Sequence, residues 1–216
     1  MTDSLEITAT APGRKASRDV RRQQLIDATI VVLARKGFSA LTVADVAKAA
    51  GLSVGIINFH FETKEKLLSA SLKHLADEYY RNWQKALATP KATAAEKLQM
   101  IMLGDFDSNI FTPDKLAAWI AFWGETQGRP TYVEICSAYD EERSRITAML
   151  CEKVIREGGY KHGVKAVVHA LESLGDGLWL GTVAGSSSIK SSISAAQARL
   201  ALQATLAAFF PKHFQS

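Results

Sequence analysis

Leu41-Thr42-Val43-Ala44-Asp45-Val46-Ala47-Lys48-Ala49-Ala50-Gly51-Leu52-Ser53-Val54-Gly55-Ile56-Ile57-Asn58-Phe59-His60 decides the architecture of this chain. Thr42 opens a helix, and Asp45, three residues on, completes a capping box. Val43, Val46, Ala47 and Ala50 share one face of that helix, 43–50, and Gly51 supplies its left-handed exit. Ser53 is a second N-cap, from which a third short helix runs to about His60. Two short helices around a glycine turn bury little surface by themselves. The third wall comes from the helix before them, Arg18 to Lys36, where Leu25, Ile26, Thr29, Val32 and Leu33 recur at three- and four-residue steps before Gly37 ends the run. The result is a helix-turn-helix.

Proline and glycine divide the rest of the chain. Residues 1–17 mix Thr, Ala, Pro and Ser without periodicity and read as a flexible basic arm. Thr63 caps a fourth helix, 64–88, about 37 Å long at ~1.5 Å per residue, which leaves the N-terminal unit and enters the next before Pro90 stops it. Further helices are expected at 94–109, 114–126, 130–157, 163–185 and 193–210, with a polar loop over 186–192. No segment alternates as a strand does. The expected fold class is all-α with about nine helices: arm 1–17, helix-turn-helix domain 18–63, and a helical effector-binding and dimerisation domain 64–216.

Charge separates the same two parts. The 216 residues carry 26 Lys and Arg against 22 Asp and Glu, a net +4, and residues 1–75 hold 11 against 7, which is the whole excess. Arg14, Lys15, Arg18, Arg21 and Arg22 fall within nine residues, opposed only by Asp19. That asymmetry points to an N-terminal part that meets a polyanion and a neutral remainder with another task. Hydrophobic residues at 47% and charged residues at 22% exclude wholesale disorder. No apolar run reaches the ~18–20 residues of a membrane span, and the first residues lack a signal-peptide pattern, so a cytoplasmic protein without a membrane partner is expected. Cys136 and Cys151, about 22 Å apart if on one helix, form neither a disulfide nor a zinc pattern. His74, His162, His169 and His213 have no metal-ligand spacing, and there is no Walker or dinucleotide motif. No metal and no cofactor is expected.

The third helix presents Val54, Gly55, Ile56, Asn58 and His60 outward. Asn58 and His60 offer donors and acceptors, Val54 or Ile56 suits a thymine methyl, and Gly55 permits close approach of a backbone. Arg21, Arg22 and Lys64 are the expected phosphate contacts. The stretch 41–55, with His60-Phe61 and Lys64-Glu65-Lys66-Leu67-Leu68, resembles the DNA-binding domain of the TetR family of repressors. The resemblance implies double-stranded DNA as partner and adds Thr42 and Ser53 to Gly55, His60 and Lys64 as contact positions. Asn58 and Ile56 depart from the usual Tyr and Thr, so the base sequence read by the family does not carry over. The alternative for this unit is a packing module with a solvated basic face.

Gly51-Leu52-Ser53-Val54-Gly55 also spells the G-x-S-x-G nucleophile elbow, which would make Ser53 the nucleophile of a serine hydrolase. That elbow needs a strand before the serine, whereas here a capped amphipathic helix precedes it. An enzyme is not expected.

Trp119, Phe122, Trp123 and Thr126 recur at i, i+3, i+4, i+7, and Trp179 stands beside Asp176 on the eighth helix. Asp105, Asp107 and Glu125 lie near these segments, and Tyr132 and Tyr139 on the seventh helix. Such a stripe serves either as ordinary core or as a pocket for a quaternary ammonium, held by ring faces and carboxylates. Gly104-Asp105-Phe106-Asp107, Ala118 to Trp123 and Asp176 to Leu180 are similar to stretches of choline-responsive TetR-family members. The expected small-molecule effector site is Trp119, Phe122, Trp123, Trp179, Asp105 and Glu125, with choline or another quaternary amine as candidate and an uncharged or anionic metabolite as rival. Asp140-Glu141-Glu142 reads as a solvated helix face.

The last two helices are apolar on more than one face. That surplus predicts a partner, and the family implies a homodimer through a four-helix bundle, with Leu171, Leu178, Leu202, Leu206 and Phe210 at the interface. The alternative is that both faces pack within the subunit.

Overall fold

The computed structural model describes residues 18–125, 130–183 and 193–214. The expected arm 1–17, Thr126 and the polar loop 186–192 lie outside these residues. Nine helices and no strand occur among the described residues: α1 (Arg18–Ala40), α2 (Val43–Ala50), α3 (Val54–Phe61), α4 (Lys64–Ala88), α5 (Ala94–Gly104), α6 (Pro113–Gly124), α7 (Pro130–Gly158), α8 (Val164–Val183) and α9 (Ala195–Phe209).

Local chemistry sets most of the boundaries. Thr42 and Asp45 form the capping box at α2, and Thr93 with Glu96 and Ser194 with Gln197 repeat it at α5 and α9. Thr63 accepts a hydrogen bond from the Lys66 amide at the start of α4. Gly51 ends α2 at φ 63°, ψ 31°. Gly37 ends the straight helical run, as expected: at φ 74°, ψ 177° it is non-helical, and α1 continues only beyond a kink, after which Phe38 turns inward. Ser53 occupies the N-cap of α3 with extended backbone, as expected, but its side chain makes no cap bond. The expected helix 94–109 is also too long. Asn82 Nδ2 donates to the Gly104 carbonyl at 2.8 Å and Trp179 Nε1 to the Asp105 carbonyl at 3.2 Å, so two other helices take up the carbonyls where α5 ends.

α4 is the spine. Leu67, Leu68, Leu72, Leu75, Ala76 and Trp83 line its buried side, and it touches α1 and α3 at one end and α5, α6 and α7 beyond. α7 climbs beside it in the same direction: the Tyr139 hydroxyl donates to Asp77 at 2.6 Å and Arg143 lies 5.4 Å over the Tyr79 ring. α6 packs against α1 on one side and α8 on the other.

α9 packs on α5 and α8. Leu171, Leu178, Leu202, Leu206 and Phe210 are all buried inside this single subunit. Their expected place at a dimer interface is therefore corrected: the leucine face covers the subunit's own core. The large apolar side chains that this helix pair leaves in solvent are Leu180, 44% exposed, and Leu200, 64% exposed.

Candidate nucleic-acid interface and internal cavity

At the N-terminal end, α2 and α3 are fixed against α1 by specific polar contacts. Gln24 Nε2 donates to the Ala50 carbonyl at 2.7 Å, which closes the last turn of α2. Lys36 Nζ approaches Asp45 to 2.6 Å, and this bond together with that of Thr42 holds the Asp45 carboxyl down to about 2. Ile57 and Phe61 anchor α3 in the core, leaving Ser53, Val54, Gly55, Ile56, Asn58 and Phe59 exposed and His60 half-buried. Lys64 donates to the Leu41 carbonyl, beside the exposed Thr42, so the starts of α2 and α4 lie together. Arg22 lies over the Phe61 ring at 5.1 Å and Arg18 over the Phe59 ring at 5.6 Å. Partial burial, then the Arg18 and Arg22 charges, push the His60 imidazole below its usual value.

Arg21 is placed differently from the expectation: half-buried, it turns to Gln24 Oε1 at 2.9 Å rather than toward α3. Arg18, noted in the sequence only as part of the basic cluster, and Phe59, not singled out there, stand at the α3 surface instead. Their signal was available: Arg18 and Arg22 are four residues apart on one helix face.

Ser53 follows a helix and a left-handed glycine, and no strand occurs among the described residues. The strand that a nucleophile elbow needs is not in front of this serine.

Behind the helix-turn-helix, α4 to α8 enclose a cavity of about 330 Å3. Its wall is aromatic: Tyr79 from α4, Trp119 and Trp123 from α6, Tyr132 from α7 and Trp179 from α8. Trp123 and Trp179 stack with ring centres 6.1 Å apart at 22°, and Tyr79 meets Trp179 edge-on at 5.8 Å. Trp123 Nε1 donates to the Tyr132 hydroxyl at 2.7 Å. The polar lining is acidic. Asp105, Asp140, Glu172 and Asp176 face a single arginine, Arg143, which already forms a 2.6 Å ion pair with Asp105. The buried Nε of Arg143 has no acceptor. Solvent reaches Asp140 and Asp176 at the mouth, yet the surrounding protein pushes the Asp140 carboxyl up to about 6 and raises Asp176 as well.

Of the six residues expected here, Asp105, Trp119, Trp123 and Trp179 are brought together, while Phe122 and Glu125 are not. Phe122 directly precedes Trp123, about 100° round the helix from it, and turns toward α1, where it meets Phe38 edge-on at 5.8 Å. A separate hollow of about 40 Å3 there is lined by Phe38, Leu68, Phe122, Glu125 and Tyr132. Glu125 accepts from Ser39 Oγ at 3.3 Å. Asp140 and Glu141 are exposed, as a solvated helix face requires, but Asp140 also lines the cavity mouth. Tyr79, Arg143, Ser144 and Glu172 were missed, although Tyr132, Asp140 and Arg143 form one stripe along α7 at spacings of eight and three.

Cys136 and Cys151 are free, buried thiols, and no cluster that could hold a metal ion occurs among the described residues. No helix among them is long and apolar enough to cross a membrane.

An outward reading helix, tied through one long helix to a chamber the size of a metabolite, is the build of a helix-turn-helix transcriptional regulator. Residues 25–71 match the bacterial regulatory proteins of the tetR family, and residues 94–211 match the BetI-type transcriptional repressor C-terminal domain. The chain belongs to the TetR family, with a BetI-type C-terminal domain. It is 31% identical over 164 residues to the HTH-type transcriptional regulator BetI of Escherichia coli O157:H7, covering 76% of this chain and 82% of that one. A transcriptional regulator from Saccharomonospora viridis in complex with choline superposes with a TM-score of 0.74 at 20% identity, covering 86% of this chain and 95% of the other. FadR from Bacillus subtilis in complex with stearoyl-CoA gives a TM-score of 0.66 at 20% identity, covering 87% and 97%.

Proposed function

We propose that the protein is a cytoplasmic, homodimeric repressor released from DNA by a small organic cation, with choline as the first candidate. The observation that carries the ligand class is the cavity lining: five aromatic rings, with four carboxylates against one arginine that Asp105 already neutralises. A quaternary ammonium cannot donate a hydrogen bond. It gains from ring faces, ~0.5–2 kcal/mol each when desolvated, and from nearby negative charge. An anionic metabolite would meet like charge at every ionisable carboxylate of the lining, with Arg143 as the one basic group among them. The BetI relatives and the choline-bound neighbour support the cation reading. The fold alone does not select it, because the same fold holds stearoyl-CoA in the Bacillus protein.

In this reading residues 18–63 form the DNA-reading unit. Arg22, Thr42, Ser53 and Lys64 meet phosphates, and Val54, Gly55, Ile56, Asn58 and His60 face the major groove. A two-fold dimer reads a pseudo-palindrome with half-sites ~34–36 Å apart or somewhat more. The effector acts by preferring the form that does not fit DNA. A ~100-fold preference corresponds to ~2.7 kcal/mol of coupling. Such a protein performs no catalysis, and Ser53 serves as a contact rather than a nucleophile.

The test is thermal shift and gel shift with choline beside 3,3-dimethyl-1-butanol, its uncharged isostere. Choline should raise the melting temperature and release DNA while the isostere does neither. Equal effects of the two would overturn the cation reading.

A further inference from the structure

The outward face of α3 has a centre that the base-reading residues named so far, Gly55 apart, flank rather than occupy. Ile57 and Phe61, both buried, fix the inward direction. At about 100° per residue, the positions opposite them are Gly55 and Phe59. Phe59 is 67% exposed, more than any other large apolar side chain among the described residues. Gly55, one turn earlier, leaves the approach open: a Cβ there would touch only Ser53 Oγ, at 3.7 Å. The ring also sits in a basic collar. Arg18 lies 5.6 Å over its face, His60 meets it edge-on at 5.1 Å and 85°, and Arg22 stands 5.1 Å over the neighbouring Phe61.

An exposed apolar ring beside two arginines matches one surface in particular. The major groove is walled by phosphates, and the apolar group on its base edges is the thymine C5-methyl. We propose that Phe59 reads a thymine methyl at the centre of each half-site, with Arg18, held over the same ring, set for the flanking phosphate. This rests on the DNA-binding function described above and adds a specificity-determining contact to it. Because recognition runs through a methyl group and not a hydrogen bond, any base carrying a methyl at that position satisfies the contact. Phe59 therefore tells thymine from cytosine, but treats 5-methylcytosine as closer to thymine.

The experiment begins with duplexes enriched from a random pool by the full chain. Thymines of the enriched duplex are then replaced by deoxyuridine one at a time, and Kd is measured for wild type, Phe59→Ala and Phe59→Leu. One thymine per half-site should matter, its replacement weakening wild-type binding about fourfold, the worth of one buried methyl group. Phe59→Ala should show no further loss at that position and Phe59→Leu a partial one. A 5-methylcytosine·guanine pair placed there should retain more affinity than a cytosine·guanine pair. If every deoxyuridine penalty survives in Phe59→Ala, or if no thymine matters, Phe59 is not the methyl reader. A pool that yields no enriched duplex overturns the DNA-binding function together with this contact, so the two failures are distinguishable. Phe59→Leu keeps an apolar, foldable side chain and guards against misreading a loss of structure.

Discussion

Trp123 ties the walls of the cavity to one another, stacking on Trp179 at 6.1 Å and donating to the Tyr132 hydroxyl at 2.7 Å. Trp123→Ala should weaken choline binding roughly tenfold, about the ~1.4 kcal/mol expected of one lost cation–π face. Calorimetric titration checks this, and unchanged affinity would make the stripe ordinary core. Asp140 adds a pH dependence whose sign can be worked out. Desolvation by the surrounding protein raises its carboxyl from 3.8 to about 6. The stability it contributes is therefore fully present below the ordinary aspartate value and lost as pH rises through about 6. A bound cation needs the charged form, so choline affinity runs the other way and falls on acidification through that range. Titrations between pH 5 and 8 should show the fall in wild type and a flatter profile in Asp140→Asn.

At the scale of elements, α6 is the part that touches both ends of the molecule. Its Trp119 and Trp123 face the cavity, while Phe122, on the next face, meets Phe38 of α1. Tyr132 of α7 lines both the cavity and the small hollow beside Phe38 and Leu68. Tyr132→Phe keeps the ring but removes the acceptor of the Trp123 N–H. Choline affinity should change only a few-fold, while the choline concentration needed to release DNA should rise by tenfold or more. Calorimetry and gel shift on the same variant separate the two effects, and parallel changes in both would show that Tyr132 merely binds. Much of the helical frame was legible because caps and periodicity are local. The capping box of Thr42 and Asp45 and the left-handed Gly51 stand as the residues alone indicate. The end of α5 was not legible, because Asn82 and Trp179, which bind its last carbonyls, come from distant parts of the chain.

At the scale of the whole molecule, the same limit explains the cavity and the helix pair at the C-terminus. Arg143 and Glu172 join the tryptophans only through the register of α7 against α8, which no single helix encodes. The leucine stripe of α9 reads alike whether a partner or the subunit's own α5 covers it, and here α5 and α8 do. Leu180 and Leu200 are the large apolar side chains that this helix pair leaves exposed, and a second copy is expected to cover them. Leu200→Glu combined with Leu180→Glu should give a folded monomer by size-exclusion chromatography with light scattering, and weaken binding to a two-half-site duplex. Leu206→Glu, buried in the core, should instead lower the melting temperature sharply. A double variant that stays dimeric would move the interface elsewhere.

Three of the four tryptophans in this chain border the chamber, and the fourth, Trp83, is packed in the core. The protein thus carries an intrinsic optical gauge of occupancy. Ultraviolet emission should change as the chamber fills, with most of the change arising from indoles that touch the guest, so loading can be followed without a dye, a label or a duplex in the cuvette.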